Sequence, residues 1–540
     1  MRTGHKLLLV FAFLVAARLY FSLQLVGPSI MGDETVYAKT AESYWHGDFS
    51  ARIGSGSPGY PPLYSLLIAP AYAFGGMETA FRAGQLINAL VSSLVLLPAY
   101  LISRRWLGEG KAIAMGLLVG LIPSFVIYSG HLMSENLYFP LFLLSAWLAM
   151  ESLTKNDLKS DAAAGICLAC LFLTKVLGVL MLAAIALMVA WLWLKRSKRF
   201  GAGKLYMLLI GAGAIALLLP FNALVKGAGG YFVTGYGLGK HVAMLTPGNI
   251  LGPNVLILLG LLANALQYYL IATLVVFFVC ALLMAGRLGR EREDFRALFA
   301  YVALSATLLL AASSLLLFNE GVGMGGTGRA EMGRYLDPAV AGILLVGAVG
   351  IERYEKLSKK PGAALWALAL FAAALLSILL FTRMGHDSAV DSVNRYAIDN
   401  LPRRVQPFVP ALAVVAAALF VKFRAAREAV VPLAIIFFLY SANVVNGVIA
   451  GHGAYQASVS TIGKWLGQND AGGSLVVVDA DAAIKDYQLY QYIFWSNERI
   501  EMRHLDPQQL PVGAKFIITD RQLPLRQVAS DGGIRLYRTG

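Results

Sequence analysis

Runs of roughly 20 apolar residues recur from one end of this 540-residue chain to the other, and no other feature restricts its fold as much. An α-helix rises 1.5 Å per residue, so each run matches the ~30 Å hydrocarbon layer of a bilayer. Spans are predicted at residues 7–26, 82–103, 112–128, 132–150, 161–174, 176–194, 205–224, 267–285, 297–318, 335–350, 362–381, 405–421 and 430–450, thirteen in all. A chain that is 58% hydrophobic and 14% charged, with a mean hydropathy of +0.65, has too little polar surface for a soluble globule. The length of the runs indicates helices rather than a barrel. The expected fold class is therefore an α-helical polytopic membrane protein.

The segment Met1–Lys6 followed by Leu7–Val26 has the outline of a signal peptide. Its apolar stretch is long, however, and Val26-Gly27-Pro28 is a poor cleavage site, so it reads as a retained span. With the N-terminus in the cytoplasm, the cytoplasmic loops carry 23 Lys and Arg, against 11 in the opposite loops before residue 450. The net charge of +14 then reflects clusters such as Lys195-Arg196-Ser197-Lys198-Arg199 lying against anionic membrane lipids, and no nucleic-acid groove is expected. Thirteen spans from an inside start place residues 451–540 outside. The chain divides into a membrane domain, 1–450, and an extracytoplasmic domain, 451–540, of a multi-pass protein of the cell membrane.

Residues 451–540 change to a soluble pattern. Ser458–Gln468 and Ala482–Trp495 read as helices, and Leu475–Asp479, Lys515–Asp520 and Ile534–Tyr537 as strands, which makes a small α/β domain. It has no Gly-rich phosphate loop and no cysteine. Cys167, Cys170 and Cys280 all fall in predicted spans, where they read as small packing residues rather than metal ligands.

The first outer loop, 27–81, is long for a compact membrane domain, and such loops are usually functional. It carries Asp33, Glu34, Glu42, Trp45, His46, Asp48 and the run Gly59-Tyr60-Pro61-Pro62-Leu63-Tyr64. Thr35–Trp45 has helical spacing with Asp33 and Glu34 at its N-terminus, so local sequence leaves Asp33 two roles, helix cap or reactive carboxylate. Topology places other ionisable residues on the same side: Glu135 in the turn between the third and fourth spans, Lys175 between the fifth and sixth, Arg334 opening the tenth, and Arg18 about two turns before the outer end of the first. Singly, the cations could snorkel or bind lipid phosphate. Together, two carboxylate sites and several cations around one cavity suit a reaction with an anionic leaving group. His131, four residues before Glu135 and expected on the same helix face, gives a weak candidate pair for a divalent metal; the alternative is an ordinary interfacial histidine. The loop 225–253, with Gly227, Gly229, Gly230, Gly235, Gly237 and Gly239 around Tyr231, Phe232 and Tyr236, is expected to be either a lid over the substrate or a flexible connector.

Five motifs in this order carry a resemblance: Asp33-Glu34-x-x-Tyr37-Ala38, Tyr60-Pro61-Pro62-Leu63-Tyr64, Met133-Ser134-Glu135, Leu173-Thr174-Lys175 and Arg334-Tyr335-Leu336-x-Pro338. The chain resembles the GT-C glycosyltransferase superfamily, and within it the protein O-mannosyltransferases and the bacterial lipid A aminoarabinose transferases. The resemblance implies a polyprenyl-phosphate sugar donor, a lipid, glycan or protein acceptor, and inverting transfer on the outer face. It further implies that Asp33 is the base and Glu135 a second acidic position in the catalytic site. Lys175 and Arg334 would lie near the donor phosphate, with Glu34, Tyr37, Tyr60, Tyr335 and Arg18 around the substrates. One departure is visible: the aminoarabinose transferases have an acidic residue and a lysine before the Pro-Pro, where this chain has Gly59 and Tyr60.

The chemistry needs little more. One carboxylate takes the acceptor proton, while phosphate leaves with its own charge and needs no general acid, only fixed cations. A transporter or flippase of lipid-linked saccharides is the alternative class. It predicts repeated halves and charges at the membrane midplane, and the sequence shows neither.

Overall fold

A computed structural model describes residues 2–25, 27–28, 32–49, 60–155, 157–197, 200–226, 255–323, 333–354, 393–394, 396, 419–458, 461–469, 474–484, 486–496, 499–506, 511 and 513–539, and isolated positions at 368, 372 and 415. Among the described residues six helices are long and apolar enough to cross a membrane: Thr3–Ser22, Met77–Ser103, Glu135–Thr154, Glu293–Phe318, Gly333–Glu352 and Arg424–Gly451. Two further apolar helix pairs are sharply bent, each a broken span or a re-entrant loop. Glu109–Gly120 and Pro123–Gly130 meet at 63°, because Pro123 cannot continue the helix before it. Ile257–Ala272 and Val276–Ala285 meet at 106°, with Leu274 and Val275 in the left-handed region at φ 54° and 59°. The straight span expected at 267–285 is thus corrected to a bent pair whose helix begins at Val255. The sequence pattern concealed the bend because both arms are apolar. The spans expected at 362–381 and 405–421 fall wholly or almost wholly outside the described residues, so the count of thirteen is left open; the others lie on helices, three of them, Leu158–Thr174, Gly178–Leu194 and Ala202–Lys226, absent from the six crossing helices and two bent pairs.

Gly333–Glu352 is the most enclosed of the crossing helices, with 83% of its apolar window buried. Close approach explains this. A Cβ built on Gly347 would lie 2.2 Å from the Phe277 carbonyl oxygen, and one on Gly350 would lie 2.5 Å from that of Cys280, so the bent helix packs backbone to backbone against it. Ion pairs tie helix ends together at the N-terminal end of the bundle, Lys6 with Glu109 at 2.9 Å and Lys111 with Glu352 at 2.5 Å. The first-loop helix, Gly32–Trp45, lies at the opposite end.

The C-terminal domain is a five-stranded sheet flanked by helices Thr461–Asn469 and Asp486–Trp495. Strands β1 (Leu475–Asp479), β2 (Arg499–Arg503), β3 (Ala514–Thr519), β4 (Arg526–Asp531) and β5 (Ile534–Arg538) stand in the order β2-β1-β3-β5-β4. The first three strands in that order are parallel, and β5 and β4 are antiparallel additions. The strands expected from sequence are β1, β3 and β5; both edges, β2 and β4, are new. The domain packs on the first loop. Phe494 meets Phe81 edge to face at 5.9 Å, Gln491 donates to the Pro28 carbonyl at 2.6 Å, and Lys39 donates to that of Ser496 at 2.8 Å. The first loop and the C-terminal domain therefore share one end of the molecule.

Candidate functional site

Asp33 sits in the first turn of the first-loop helix and its carboxylate is engaged on both oxygens. Oδ1 accepts from the Tyr60 hydroxyl at 2.6 Å, and Oδ2 pairs with Arg334 Nη1 at 3.0 Å. Tyr60 is placed by Pro61-Pro62, whose fixed φ turns the chain into the helix Pro62–Ile68, and by stacking on Tyr37 at 4.9 Å. Burial pushes the Asp33 carboxyl up, but Arg334, the Tyr60 hydroxyl and Lys175 outweigh it and hold Asp33 below its ordinary value. Both oxygens are thus held by side chains from outside the first-loop helix.

Arg334 and Tyr335 open the helix Gly333–Glu352. The Tyr335 ring has Arg334 5.2 Å from its centre and Lys175 4.9 Å from it. Lys175 stands in the turn between helices Leu158–Thr174 and Gly178–Leu194 and pairs with Glu135, the buried first residue of Glu135–Thr154. Ser134 Oγ donates to Glu135 at 3.3 Å and accepts from the Tyr37 hydroxyl at 2.9 Å. A closed circuit results, from Tyr60 through Asp33, Arg334, Tyr335, Lys175, Glu135, Ser134 and Tyr37 back to Tyr60. Seven of these eight residues were singled out in the sequence for the site or within its motifs as site residues; Ser134 was quoted only as part of a motif.

Other expected site residues point elsewhere. Glu34 is buried and turned away from Asp33, accepting from the Leu132 amide at 3.0 Å with His131 Nδ1 3.4 Å away. It braces the first-loop helix against the turn that carries Ser134 and Glu135. His131 does not share a helix face with Glu135, a correction: its backbone is extended, at φ −106° and ψ 143°, and the helix starts only at Glu135. Nor is it an exposed interfacial histidine, since it is fully buried. Among the described residues no three His, Cys, Asp or Glu gather closely enough to hold a metal ion, and His131 faces Glu34 whereas Glu135 faces Lys175. Arg18 is buried inside the bundle and donates to the Gly120 carbonyl at 2.8 Å, at the break in the third span. That carbonyl ends a helix and lacks a helical partner, so Arg18 supports the break and does not join the circuit. Residues 227–254, which hold most of the expected Gly-rich lid, lie outside the described residues.

Sequence reasoning missed a second polar group beside the circuit: Asp337, Tyr268, Asn394 and Ser124. A carboxylate and a proline inside an otherwise apolar span were the available signal.

The family described as dolichyl-phosphate-mannose-protein mannosyltransferase matches residues 60–223. In solved structures, the chain is similar to ArnT from Cupriavidus metallidurans bound to undecaprenyl phosphate, at 15% identity and a TM-score of 0.56, over 99% of this chain and 98% of that one. ArnT from the same organism in the apo state gives 15% identity and a TM-score of 0.55 over the same shares. A search of curated proteins returns no match. The likeness over both full lengths is one of fold, and the fold is that of the GT-C glycosyltransferases.

Proposed function

We propose that the protein is an inverting glycosyltransferase that moves a sugar from a polyprenyl-phosphate donor to a lipid, glycan or protein acceptor at the outer face of the membrane. The carrying observation is the circuit. Two cations crowd one aromatic ring, each tethered to a carboxylate, at the end of the molecule that bears the long first loop. Two cations so placed repel each other, and a phosphate between them would relieve that repulsion. The family model that matches residues 60–223 and the undecaprenyl phosphate named in the similar ArnT structure support a prenyl-phosphate donor.

In the reaction the acceptor oxygen attacks C1 of the sugar while Asp33 removes the proton from that oxygen. The bond from C1 to the phosphate oxygen breaks, and the electron pair leaves on polyprenyl phosphate. The resting ion pair of Asp33 with Arg334 weakens Asp33 as a base. Arg334 and Lys175 are the groups a donor phosphate attracts, so donor entry loosens the grip on Asp33 and raises its basicity when the substrate is in place.

The sidedness rests on the loop charges and on the shared end of the first loop and the C-terminal domain. The direct test incubates purified protein with a panel of polyprenyl-phosphate sugars and candidate acceptors. Consumption of one donor with acceptor-dependent release of polyprenyl phosphate is expected. No consumption of any donor, together with movement of lipid-linked saccharide across reconstituted vesicles, would replace the enzyme reading with a transporter.

A further inference from the structure

The structure assigns a role to Asp337: we propose that it is the positioning residue that fixes the rotation of the helix Gly333–Glu352 and so aims Arg334 at Asp33, an inference that rests on the enzymatic reading above. Asp337 lies three residues past Arg334, fully buried inside a membrane helix. Among the described residues no Lys, Arg or His pairs with it. Its Oδ1 accepts from the Tyr268 hydroxyl and from Asn394 Nδ2, the latter at 2.8 Å. Asn394 Nδ2 also lies 3.1 Å from the Tyr268 hydroxyl and 3.2 Å from Ser124 Oγ, and Asn394 Oδ1 accepts from the Ser124 amide at 3.2 Å.

Ser124 and Tyr268 come from the two bent helix pairs, and Asn394 from a separate segment of the chain. Ser124 follows the Pro123 break, where first-turn amides have no helical acceptor. Tyr268 stands on the helix Val255–Ala272, just before the 106° bend. A second, independent contact sets the same geometry. A Cβ on Gly333 would lie 2.4 Å from the Tyr268 ring, so that ring rests directly on the helix backbone and reaches Asp337 one turn further along. Positions 333 and 337 share a helix face, and position 334 is turned about 100° from 333.

That face thus grips Tyr268 while the neighbouring one presents Arg334 to Asp33 and lays Tyr335 against Lys175. Apolar contacts between helices would tolerate a small rotation. A buried hydrogen-bond network does not, because each broken bond strands a polar group away from water. A rotation of this helix would move Arg334 relative to Asp33 and the Tyr335 ring relative to Lys175, and misplacement by about 1 Å can cost on the order of 10²-fold in rate.

The test measures donor kcat and KM, and the pH dependence of kcat/KM, for wild type, Asp337→Leu, Asp337→Asn, Gly333→Ala and Tyr268→Phe. Asp337→Leu and Gly333→Ala should lower kcat/KM for the donor roughly 10- to 100-fold. They should also move the acid limb to higher pH, since Asp33 loses its close cation. Asp337→Asn keeps an oxygen to accept from Tyr268 and should restore most of the rate and the original limb. Tyr268→Phe removes one hydroxyl and should shift both readouts in the same direction by less, which keeps the test decisive if the Leu variant does not fold. Wild-type kcat/KM for the donor and an unmoved acid limb in Gly333→Ala and Tyr268→Phe would overturn the inference, as would an Asn variant as impaired as Leu. If wild type itself transfers no sugar, the enzymatic reading fails first and takes this inference with it.

Discussion

One helix, Leu158–Thr174, meets a charged group at each end. Asp161 lies near its start and Lys175 just past its finish, about 21 Å apart along the axis. At the first end Asp161 pairs with Lys204 at 2.5 Å and accepts from Ser152 at 2.6 Å, and Lys204 also donates to the Lys155 carbonyl at 3.0 Å. Both charged side chains are buried, and Gly203 leaves no room for more than the carboxylate. This is one anion, one cation and satisfied hydrogen bonds, a clasp between three helices. At the other end Lys175 and Arg334 share one aromatic ring, and their carboxylates come from separate segments of chain. A buried pair is therefore weak grounds for function. Crowded like charges, held apart by exchangeable partners, are better grounds.

Mutation of each end should break this symmetry. At the proposed phosphate site Arg334→Ala or Lys175→Ala removes preorganised charge, and kcat/KM for the donor should fall about 10² to 10³-fold with little change in thermal stability. Steady-state kinetics on monodisperse protein checks this. At the clasp, Lys204→Met leaves Asp161 buried without its cation and should lower stability by roughly 3–5 kcal/mol, read by thermal unfolding, while turnover per folded molecule stays unchanged. Equal loss of turnover at both ends would erase the distinction.

A smaller effect is expected at Tyr60. Tyr60→Phe deletes one hydrogen bond to Asp33, worth about 1 kcal/mol or roughly fivefold in rate. Its sign in pH is fixed. Tyr60 helps to hold the Asp33 carboxyl below its usual value, so ionised Asp33 persists to lower pH in wild type, and the variant should lose kcat/KM at a higher pH as acid is added. An acid limb that does not move would detach Tyr60 from the base. Sidedness is tested without kinetics: with the three native cysteines replaced, Ser530→Cys in β4 should react with an impermeant reagent in intact cells. Protection would put the C-terminal domain, and the circuit it packs beside, on the wrong side of the membrane.

Much of this molecule was legible as a sequence because lipid imposes a simple code. Apolar length marks the helices, and charge on one side of the spans marks the site, so Asp33, Glu135, Lys175 and Arg334 could be grouped before any coordinates. Short apolar runs likewise marked β1 and β3, and the alternation Ile534-Arg535-Leu536 marked β5. The two edges differ. Arg499-Ile500-Glu501-Met502-Arg503 alternates polar and apolar residues, a strand signal that went unread, whereas in Arg526–Asp531 the adjacent Val528 and Ala529 sit among polar residues with no period of two; the charges on both keep an exposed edge from pairing with other chains. Side-chain direction was illegible too. Asp33 and Glu34 are neighbours in sequence, yet one faces Arg334 and the other braces Leu132, and Arg18 was assigned to substrate although it supports a helix break. The bend at Leu274 and Val275 leaves no mark in an apolar run, because the residues there are ones that normally avoid such a conformation.

The central claim is that Asp33 is the base. Asp33→Asn keeps the size of the side chain and an oxygen for Tyr60 but removes its proton affinity. Asparagine caps a helix about as well as aspartate, so the substitution separates the two roles left open by the sequence. In protein that remains monodisperse and as thermally stable as wild type, transfer from the accepted polyprenyl-phosphate sugar should fall by about 10² to 10⁴-fold, with donor binding nearly unchanged. Turnover within about threefold of wild type, a barrier change under ~1 kcal/mol, would contradict the account and leave Asp33 a structural residue of its helix.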